Sequence, residues 1–274
     1  MSILMNDNTY GVNKRINFIA EVIAELKPSS VLDVGCGTGS NLTKPLAELF
    51  PDINFIGIDD DSRSIDYGVK NNKNNNLTFC HIKHFKNTKK FDLIIASEVI
   101  EHVENPHNFL LALKKKLKAR GRIILTLPNG VGAFELASLA ESLLYLSGLY
   151  GLIRKFKRMI LGNSYQQIQF DTLAVSPHIN FFTFKTINRL INFSGLKVVK
   201  IRNRTFLCGF IFDHFIVFRT LISINALIAD YLPPSLVSAW MFVLQPGAIN
   251  GRNYNIGPYG KLRRYLNKKR WQVK

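Results

Sequence analysis

The length, composition and charge of the chain exclude several classes of protein. Its 274 residues are 47% hydrophobic, enough for a substantial core in one large domain or two small ones. Three scattered cysteines exclude a disulfide framework and favour a reducing cytoplasm, and the N-terminus lacks the pattern of a signal peptide. Lysine and arginine exceed aspartate and glutamate by 17, which favours a polyanion or an anionic membrane surface as a partner.

Strands and helices alternate along the predicted structure, beginning with an amphipathic helix over Asn13–Leu26. Short apolar runs predict strands at 31–34, 54–59, 77–82, 91–96, 122–127, 197–202 and 236–244. Apolar residues at helical spacing predict helices at 41–50, 62–71, 107–117 and 185–193. This alternation is typical of an α/β fold built on a doubly wound, mostly parallel sheet, here of seven strands.

The first predicted strand ends in a turn with glycine at alternate positions. The three glycines are Gly35, Gly37 and Gly39, and Cys36 lies between the first two. Glycine lets the backbone bend sharply there and approach a ligand without a Cβ clash. By itself such a turn serves a dinucleotide, a phosphate or tight packing. Its G-x-G-x-G spacing differs from the dinucleotide and P-loop patterns, and Asp33 in the strand end would repel a pyrophosphate.

The second predicted strand ends in an acid, Asp59, twenty positions after Gly39. An acid at the carboxyl edge of the neighbouring strand is placed to accept both hydroxyls of a ribose. The alternatives are a nucleotide fold of another kind and a solvated turn residue. The pattern D-x-G-x-G-x-G over 33–39 with G-x-D over 57–59 resembles the class I S-adenosylmethionine-dependent methyltransferases. The resemblance implies a Rossmann-like methyltransferase fold and S-adenosylmethionine as the methyl donor.

The segment after the fourth predicted strand carries two carboxylates and an imidazole. Glu98, Glu101 and His102 stand at i, i+3 and i+4, which predicts a helix that presents all three on one face. Open sheets bind ligands beyond the carboxyl ends of their strands, so we expect this face to line the site. Such groups can hold a divalent cation or supply a general base. The alternative is that the histidine caps or packs locally while the glutamates are solvated.

A second resemblance covers residues 97–106, Ser-Glu-Val-Ile-Glu-His-Val-Glu-Asn-Pro. This segment is similar to the E-x-x-E-H-V-x-x-P segment of the ubiquinone-biosynthesis O-methyltransferase family, and similar patches extend over about 10–205. The resemblance implies a Mg²⁺ site at Glu98, Glu101 and His102. Certain small-RNA 2′-O-methyltransferases share this cluster and add a further histidine, for which His178 is the candidate.

The predicted roles divide between the methyl donor and the acceptor. Asp33 and the backbone of 35–39 would hold the methionine part, and Arg15 is a candidate partner for its carboxylate. Asp59 would hold the ribose, while Ser97 lies where the strand end meets the sulfonium. A cation on the glutamate–histidine cluster would lower the pKa of an acceptor hydroxyl. If no metal binds, the histidine of the cluster becomes the general base.

Two long stretches, 130–183 and 206–234, are insertions between predicted strands and helices of the sheet. The first carries a basic amphipathic helix around 149–160, and the segment 252–274 forms a basic tail with eight cations and no acid. Neither stretch contains a run that is long and apolar enough to span a membrane. We expect a helical lid over an apolar or lipid-linked substrate, or an interfacial patch for an anionic membrane. A subunit interface in a homo-oligomer is the alternative.

Three functions follow for what is predicted to be one methyltransferase domain over 1–274. The leading function is O-methylation of a small or lipid-linked molecule, in the cytoplasm and peripheral to the inner face of a membrane. The second is RNA 2′-O-methylation, favoured by the positive charge and by His178, although no [DNS]-P-P-[YFW] motif follows the fourth strand. The third is a non-catalytic nucleotide-binding or membrane-adaptor protein.

Overall fold

The structure, a computed structural model, describes residues 8–85, 89–149, 151, 173, 177–208, 216, 218–251 and 254–272. Its strands are β1 (Ser30–Val34), β2 (Asn54–Asp59), β3 (Leu77–His81), β4 (Phe91–Ser97), β5 (Leu117–Pro128), β6 (Leu196–Asn203) and β7 (Ala239–Pro246). The α-helices within these residues are α1 (Val12–Leu26), α2 (Thr43–Leu49), α3 (Ser62–Asn71), α4 (Pro106–Lys115), α5 (Ala133–Leu146), α6 (Phe184–Phe193), α7 (Arg219–Tyr231) and α8 (Gly257–Trp271). The seven predicted strands and the five helices predicted at 13–26, 41–50, 62–71, 107–117 and 185–193 are present, with bounds shifted by at most five residues.

The strands lie in one sheet in the order β3-β2-β1-β4-β5-β7-β6. The five strands from β3 to β5 are parallel, whereas β7 runs antiparallel to both β5 and β6. The chain order reverses between β1 and β4, because β2 and β3 lie on one side of this pair and β5 lies on the other. Ligands of such sheets bind beyond the carboxyl ends of the strands at this reversal. The topology confirms the doubly wound sheet and directs attention to the loops after β1 and β4.

Both faces of the sheet are covered, which explains why its strands are continuous apolar runs. Along β4, Leu93 and Ile95 pack with α1 on one face, whereas Ile94 and Ala96 pack with α4 and α6 on the other. Burying a large apolar side chain contributes about 1.5–3 kcal/mol. A slip of one residue would exchange the two sets, so the register of β4 is strongly specified. This register places the carboxyl end of β4 at the point in the sheet where the chain order reverses.

The helix predicted for Glu98–His102 is wrong. The chain forms a turn there, and α4 begins only at Pro106. Asn105 is the N-cap of α4, and its Oδ1 accepts a hydrogen bond from the amide of Asn108 at 3.0 Å. Glu98 has a left-handed backbone with φ of 58°, which stops helical continuation at the start of the segment. A proline is favoured at the first position of a helix and restricts the residue before it, which accounts for the late start.

The two stretches beyond the sheet contribute helices, as predicted: α5 lies in 130–183 and α7 lies in 206–234. The basic amphipathic helix predicted around 149–160 lies almost wholly outside the described residues. No helix in the described ranges combines the length and the apolar character needed to cross a bilayer. The amide of Gly130 donates to the carbonyl of Phe182 at 2.7 Å, so the two ends of the first stretch meet just beyond the carboxyl end of β5.

The basic C-terminal segment, predicted as a tail, folds as α8 and packs against α5. Arg263 and Arg270 pair with carboxylates of α5 at 2.8 and 3.0 Å, and Lys268 pairs with Glu104 at 2.7 Å. The side chain of Arg263 is only 1% exposed. Three basic residues of this helix are therefore paired with carboxylates, and the pair of Arg263 is buried.

Candidate active site

The donor side of the site is built on the glycine turn between β1 and α2. Gly35, Gly37 and Gly39 all have left-handed backbones, with φ of 74°, 56° and 72°. A Cβ at Gly35 would lie 2.4 Å from Cγ2 of Val99, and a Cβ at Gly39 would lie 2.3 Å from the ring of Phe79. These two positions therefore need glycine for its lack of a side chain as well as for its φ angle.

Replacing Gly35 with alanine is expected to lower the free energy of unfolding by about 2–5 kcal/mol. Left-handed strain of about 1–2 kcal/mol adds there to overpacking of about 1–3 kcal/mol. Gly148→Ala is the matched control, because Gly148 has a similar φ of 78° but no described atom within 4 Å of its Cβ position. Urea denaturation measures both. Equal losses in the two variants would show that the contact with Val99 is unimportant.

The carboxylate of Asp59 closes the turn from the neighbouring strand. Its Oδ2 accepts the amide of Gly37 at 2.8 Å, and its Oδ1 accepts the amide of Asp61 at 2.9 Å. Burial raises the pKa of Asp59, and these two backbone hydrogen bonds oppose the rise. A carboxylate offers about four lone-pair positions, so each oxygen keeps capacity for one ribose hydroxyl. The arrangement fits the ribose of S-adenosylmethionine.

Two other predicted donor-site residues make local contacts. Asp33 is 1% exposed and accepts a 2.6 Å hydrogen bond from the hydroxyl of Thr43 at the start of α2. Cys36 is buried, and its thiol donates to the carbonyl of Gly37 at 3.5 Å. These contacts tie β1, the glycine turn and α2 together. Direct contact of Asp33 or Cys36 with the methyl donor stays a prediction.

A chain of polar contacts follows the end of β4. Ser97 Oγ lies 2.9 Å from Oγ1 of Thr126, which donates to Oε1 of Glu98 at 2.8 Å. Arg204, just after β6, pairs with the same oxygen at 2.9 Å. Burial by itself would raise the pKa of Glu98, but the charges of Arg204 and Arg15 outweigh it and lower that pKa. Glu98 is therefore a carboxylate anion held by arginine.

The acceptor cluster consists of Glu101, His102 and His178, with one ligand atom from each within 4.8 Å of the others. Glu101 is fully buried, and neither of its carboxylate oxygens has a hydrogen-bond partner among the described residues. The side chains of His102 and His178 are 22% and 24% exposed, so a small ligand can reach both rings. The fourth predicted ligand, Glu98, lies outside this cluster because Arg204 and a threonine hold its carboxylate.

Hydrogen bonds set which nitrogen of each imidazole faces the cluster. Nδ1 of His102 lies 3.1 Å from the carbonyl of Pro177, which can only accept, so Nδ1 carries the proton and Nε2 keeps its lone pair. That Nε2 lies 3.9 Å from Oε1 of Glu101. Nδ1 of His178 contacts Oε1 of Glu135 at 2.5 Å, which likewise leaves Nε2 for a ligand. Both rings therefore present Nε2.

Burial and neighbouring charges separate the pKa values in the cluster. Burial and then the charge of Glu98 raise the pKa of Glu101 to about 8. Burial and then His178 lower the pKa of His102 to about 4. Burial would also lower the pKa of His178, but Glu135 and Glu101 outweigh it and raise that pKa to about 9. At neutral pH, therefore, His102 is neutral, Glu101 is largely protonated and His178 carries a proton on both nitrogens, so a metal ion would have to displace a proton from Glu101 and from Nε2 of His178.

Sequence reasoning missed two residues of this site, Glu135 and Arg204. Glu135 lies in the long stretch after β5, and Arg204 lies in the loop after β6. Both are nearly or fully buried, with 1% and 6% of their surface exposed. Neither stands at a motif spacing, so burial in the folded structure is the signal that identifies them.

Comparisons with known proteins identify the family of the chain. A family model described as "Methyltransferase domain" matches residues 7–201. The ubiquinone biosynthesis O-methyltransferase of Rickettsia bellii is 36% identical over 123 residues, which cover 42% of this chain and 50% of that protein. The chain thus spans about half the length of the curated relatives it matches.

Two solved structures share the fold. The PKMT2 protein of Rickettsia typhi in complex with AdoHcy has a TM-score of 0.53 at 17% identity, covering 86% of this chain and 52% of that one. An S-adenosylmethionine-dependent methyltransferase of Clostridium acetobutylicum has a TM-score of 0.51 at 14% identity, covering 86% of this chain and 92% of that one. Since the family match spans most of the sequence and the sheet has the matching topology, the chain belongs to the methyltransferase-domain family as a class I S-adenosylmethionine-dependent methyltransferase.

Proposed function

We propose that this methyltransferase transfers the methyl group to a hydroxyl oxygen of a small or lipid-linked molecule, and that a divalent metal held by Glu101, His102 and His178 activates that hydroxyl. The observation that carries the proposal is the buried carboxylate of Glu101. Its two oxygens have no hydrogen-bond partner among the described residues. Burial and the charge of Glu98 raise the pKa of this carboxyl to about 8, because its charged form is poorly compensated, and a cation between the carboxylate and the two imidazoles would stabilise that form.

The reaction proposed is a direct displacement. The sulfonium methyl is already activated, so the protein mainly supplies proximity, in-line orientation and a deprotonated acceptor. Asp59 and the backbone of the glycine turn would orient the donor, and Ser97 lies at the strand end between the donor and acceptor sides. When bound, a metal would lower the pKa of the acceptor hydroxyl and orient its oxygen.

The donor set favours a transition metal over the expected Mg²⁺. Two imidazoles and one carboxylate suit Zn²⁺ or Fe²⁺, whereas Mg²⁺ prefers oxygen ligands. The pKa of about 4 at His102 also favours a ligand over a general base. A base works best with a pKa near the working pH, whereas a ligand gains when no proton competes for its lone pair.

An exposed apolar surface supports a lipid-linked acceptor and contact with an anionic membrane. On α7 the exposed face carries Leu221, Ile224 and Ile228 at i, i+3 and i+7, followed by Tyr231, which is 83% exposed. An amphipathic helix with such a face is typical of proteins that lie on a bilayer. The name of the curated relatives places their activity in ubiquinone biosynthesis, which fits an acceptor with an isoprenoid tail. The same surface would serve a homo-oligomer.

RNA is the weaker candidate partner. Part of its support is the positive charge of the basic C-terminal segment, yet several cations of α8 are paired within the structure. Besides the three ion pairs described for this helix, Arg264 donates to the carbonyl of Glu104 at 2.9 Å and to Oδ1 of Asn180 at 2.7 Å. The overall excess of 17 positive charges and the place of His178 beside Glu101 and His102 remain in favour of RNA.

The test is methyl transfer from labelled S-adenosylmethionine to phenols with and without an isoprenoid tail, and to single-stranded RNA. We expect transfer to the tailed phenol, a loss of about 100-fold or more on chelation, and recovery with Zn²⁺, Fe²⁺ or Mn²⁺. Activity that withstands the chelator would exclude the metal. Transfer to ribose hydroxyls of RNA alone would favour the second candidate.

A further inference from the structure

We infer that Glu135 is a positioning residue that sets the tautomer and orientation of His178, and that α8 holds Glu135 in place through Arg263. This inference rests on the proposed function of the acceptor cluster. It assigns a role in the site to α5 and to the basic C-terminal helix, which lie far from the cluster in the sequence.

Both carboxylate oxygens of Glu135 are engaged, each by a different segment of the chain. Oε1 contacts Nδ1 of His178 at 2.5 Å, and Oε2 accepts from Nη2 of Arg263 at 2.8 Å. Glu135 and Arg263 are each 1% exposed. A buried pair of this kind is costly to separate, because separation would leave an uncompensated charge. Glu135 is thus a fixed acceptor aimed at one nitrogen of the imidazole.

A fixed acceptor at Nδ1 determines what the other nitrogen can do. The proton of the neutral ring stays on Nδ1, and the lone pair of Nε2 is left for the acceptor cluster. The rings of His178 and His102 meet edge to face, with centroids 4.8 Å apart. A carboxylate behind a ligating histidine fixes its ring in this way, and losing such a partner weakens metal binding by about 10–100-fold.

The helix α8 also holds the backbone that carries His178. The side-chain amide of Asn267 donates to the carbonyl of His178 at 2.9 Å, and Arg264 donates to the carbonyl of Ile179 at 3.2 Å. On the other side, the amide of Ile179 donates to the carbonyl of Glu101 at 2.8 Å. The backbone at His178 is therefore clamped between α8 and the turn that carries the other two members of the cluster.

The isosteric variant Glu135→Gln separates positioning from simple packing. The charged Arg263 will bind the amide oxygen, so the amide NH₂ faces His178 and donates to Nδ1. The proton of the neutral ring then moves to Nε2, where it blocks ligation. Glu141→Gln is the matched control, because Glu141 pairs with Arg270 across the same two helices at 3.0 Å without being among the contacts of the cluster.

The experiment uses the 274-residue chain and two readouts. Imidazole ¹⁵N NMR at pH 10, above the pKa of about 9 of His178, locates the ring proton without any metal. Titration with Co²⁺ alone, followed by visible absorption and calorimetry, measures the metal site. We expect Glu135→Gln to move the proton to Nε2 and weaken Co²⁺ binding about 10–100-fold, with unchanged affinity for S-adenosylmethionine. Glu141→Gln should change none of these.

The outcomes are distinguishable from failure of the proposed function. If Nδ1 of His178 stays protonated in Glu135→Gln, the inference is overturned, whatever the metal result. If the unmodified chain binds no Co²⁺, the proposed metal site fails, while the NMR readout still decides the role of Glu135. Should Glu135→Gln not fold, the double variant Glu135→Leu/Arg263→Met replaces both groups of this pair with apolar side chains. It removes the acceptor at Nδ1 of His178, so the ring proton should no longer be confined to Nδ1, and a ring that stays protonated on Nδ1 alone would contradict the inference.

Discussion

Replacing His102 with alanine is expected to lower the turnover rate of methyl transfer by about 10²- to 10⁴-fold. The variant removes one of the two imidazoles that present Nε2 to Glu101, and with it either a metal ligand or the general base. Binding of S-adenosylmethionine should be unchanged, since His102 has no contact with the glycine turn or with Asp59 among the contacts described. Steady-state kinetics at saturating donor measure the rate, and calorimetry measures donor affinity.

The matched control for this variant is His84→Ala, which removes an exposed imidazole whose described ring contact is with His81. Its turnover rate and donor affinity should both equal those of the unmodified chain. Activity of His102→Ala within about threefold of the unmodified chain would contradict both the metal and the general-base forms of the mechanism. A loss of donor affinity equal to the loss of rate would instead indicate damage to the fold around the turn.

Replacing Asp59 with alanine is expected to weaken S-adenosylmethionine binding by about 10²- to 10⁴-fold. Hydrogen bonds to a charged group contribute about 1.5–3 kcal/mol each, and the variant removes the acceptor proposed for two ribose hydroxyls. It also releases the amide of Gly37, which Oδ2 of Asp59 holds at 2.8 Å in the turn. Calorimetric titration with S-adenosylmethionine and with S-adenosylhomocysteine gives the affinities directly.

The neighbouring Asp60→Ala is the control for this second variant, because Asp60 is exposed and stands beside Asp59. Its donor affinity should stay within about twofold of that of the unmodified chain. Donor affinity of Asp59→Ala within threefold of the unmodified value would show that the ribose is not bound at the end of β2. Together, the two variants separate the donor half of the site, which changes affinity, from the acceptor half, which changes rate.

The strands and the donor turn were predictable because their causes are local. A left-handed φ at positions 35, 37 and 39 favours glycine, since other residues adopt it only with strain, and glycine is visible in the sequence. An acid at a strand end, such as Asp59, is equally visible. The parallel register that pairs Asp33 of β1 with Gly57 of β2 then follows from burying both apolar strands, and it brings the acid to the turn.

The acceptor half was predictable only in part, because its spacing has more than one structural solution. The i, i+3, i+4 pattern of Glu98, Glu101 and His102 fits a helix, yet the left-handed backbone at Glu98 and the late helix start at Pro106 make it a turn. In that turn Glu98 pairs with Arg204 instead of joining the other two. The place of His178 in the cluster came from the family resemblance alone.

The sequence by itself determined the class of fold, the family and the conformation of the glycine turn, since periodicity and glycine conformation act over a few residues. Only the tertiary structure decided which charges are buried and which of them meet. Glu135, His178 and Arg263 come from three distant segments, and their pairing depends on how α5 and α8 pack at the edge of the sheet. Burial makes an unpaired charge costly, so the packing of the helices determines which charges pair. These partners are far apart in the sequence, and no local sequence pattern predicts them.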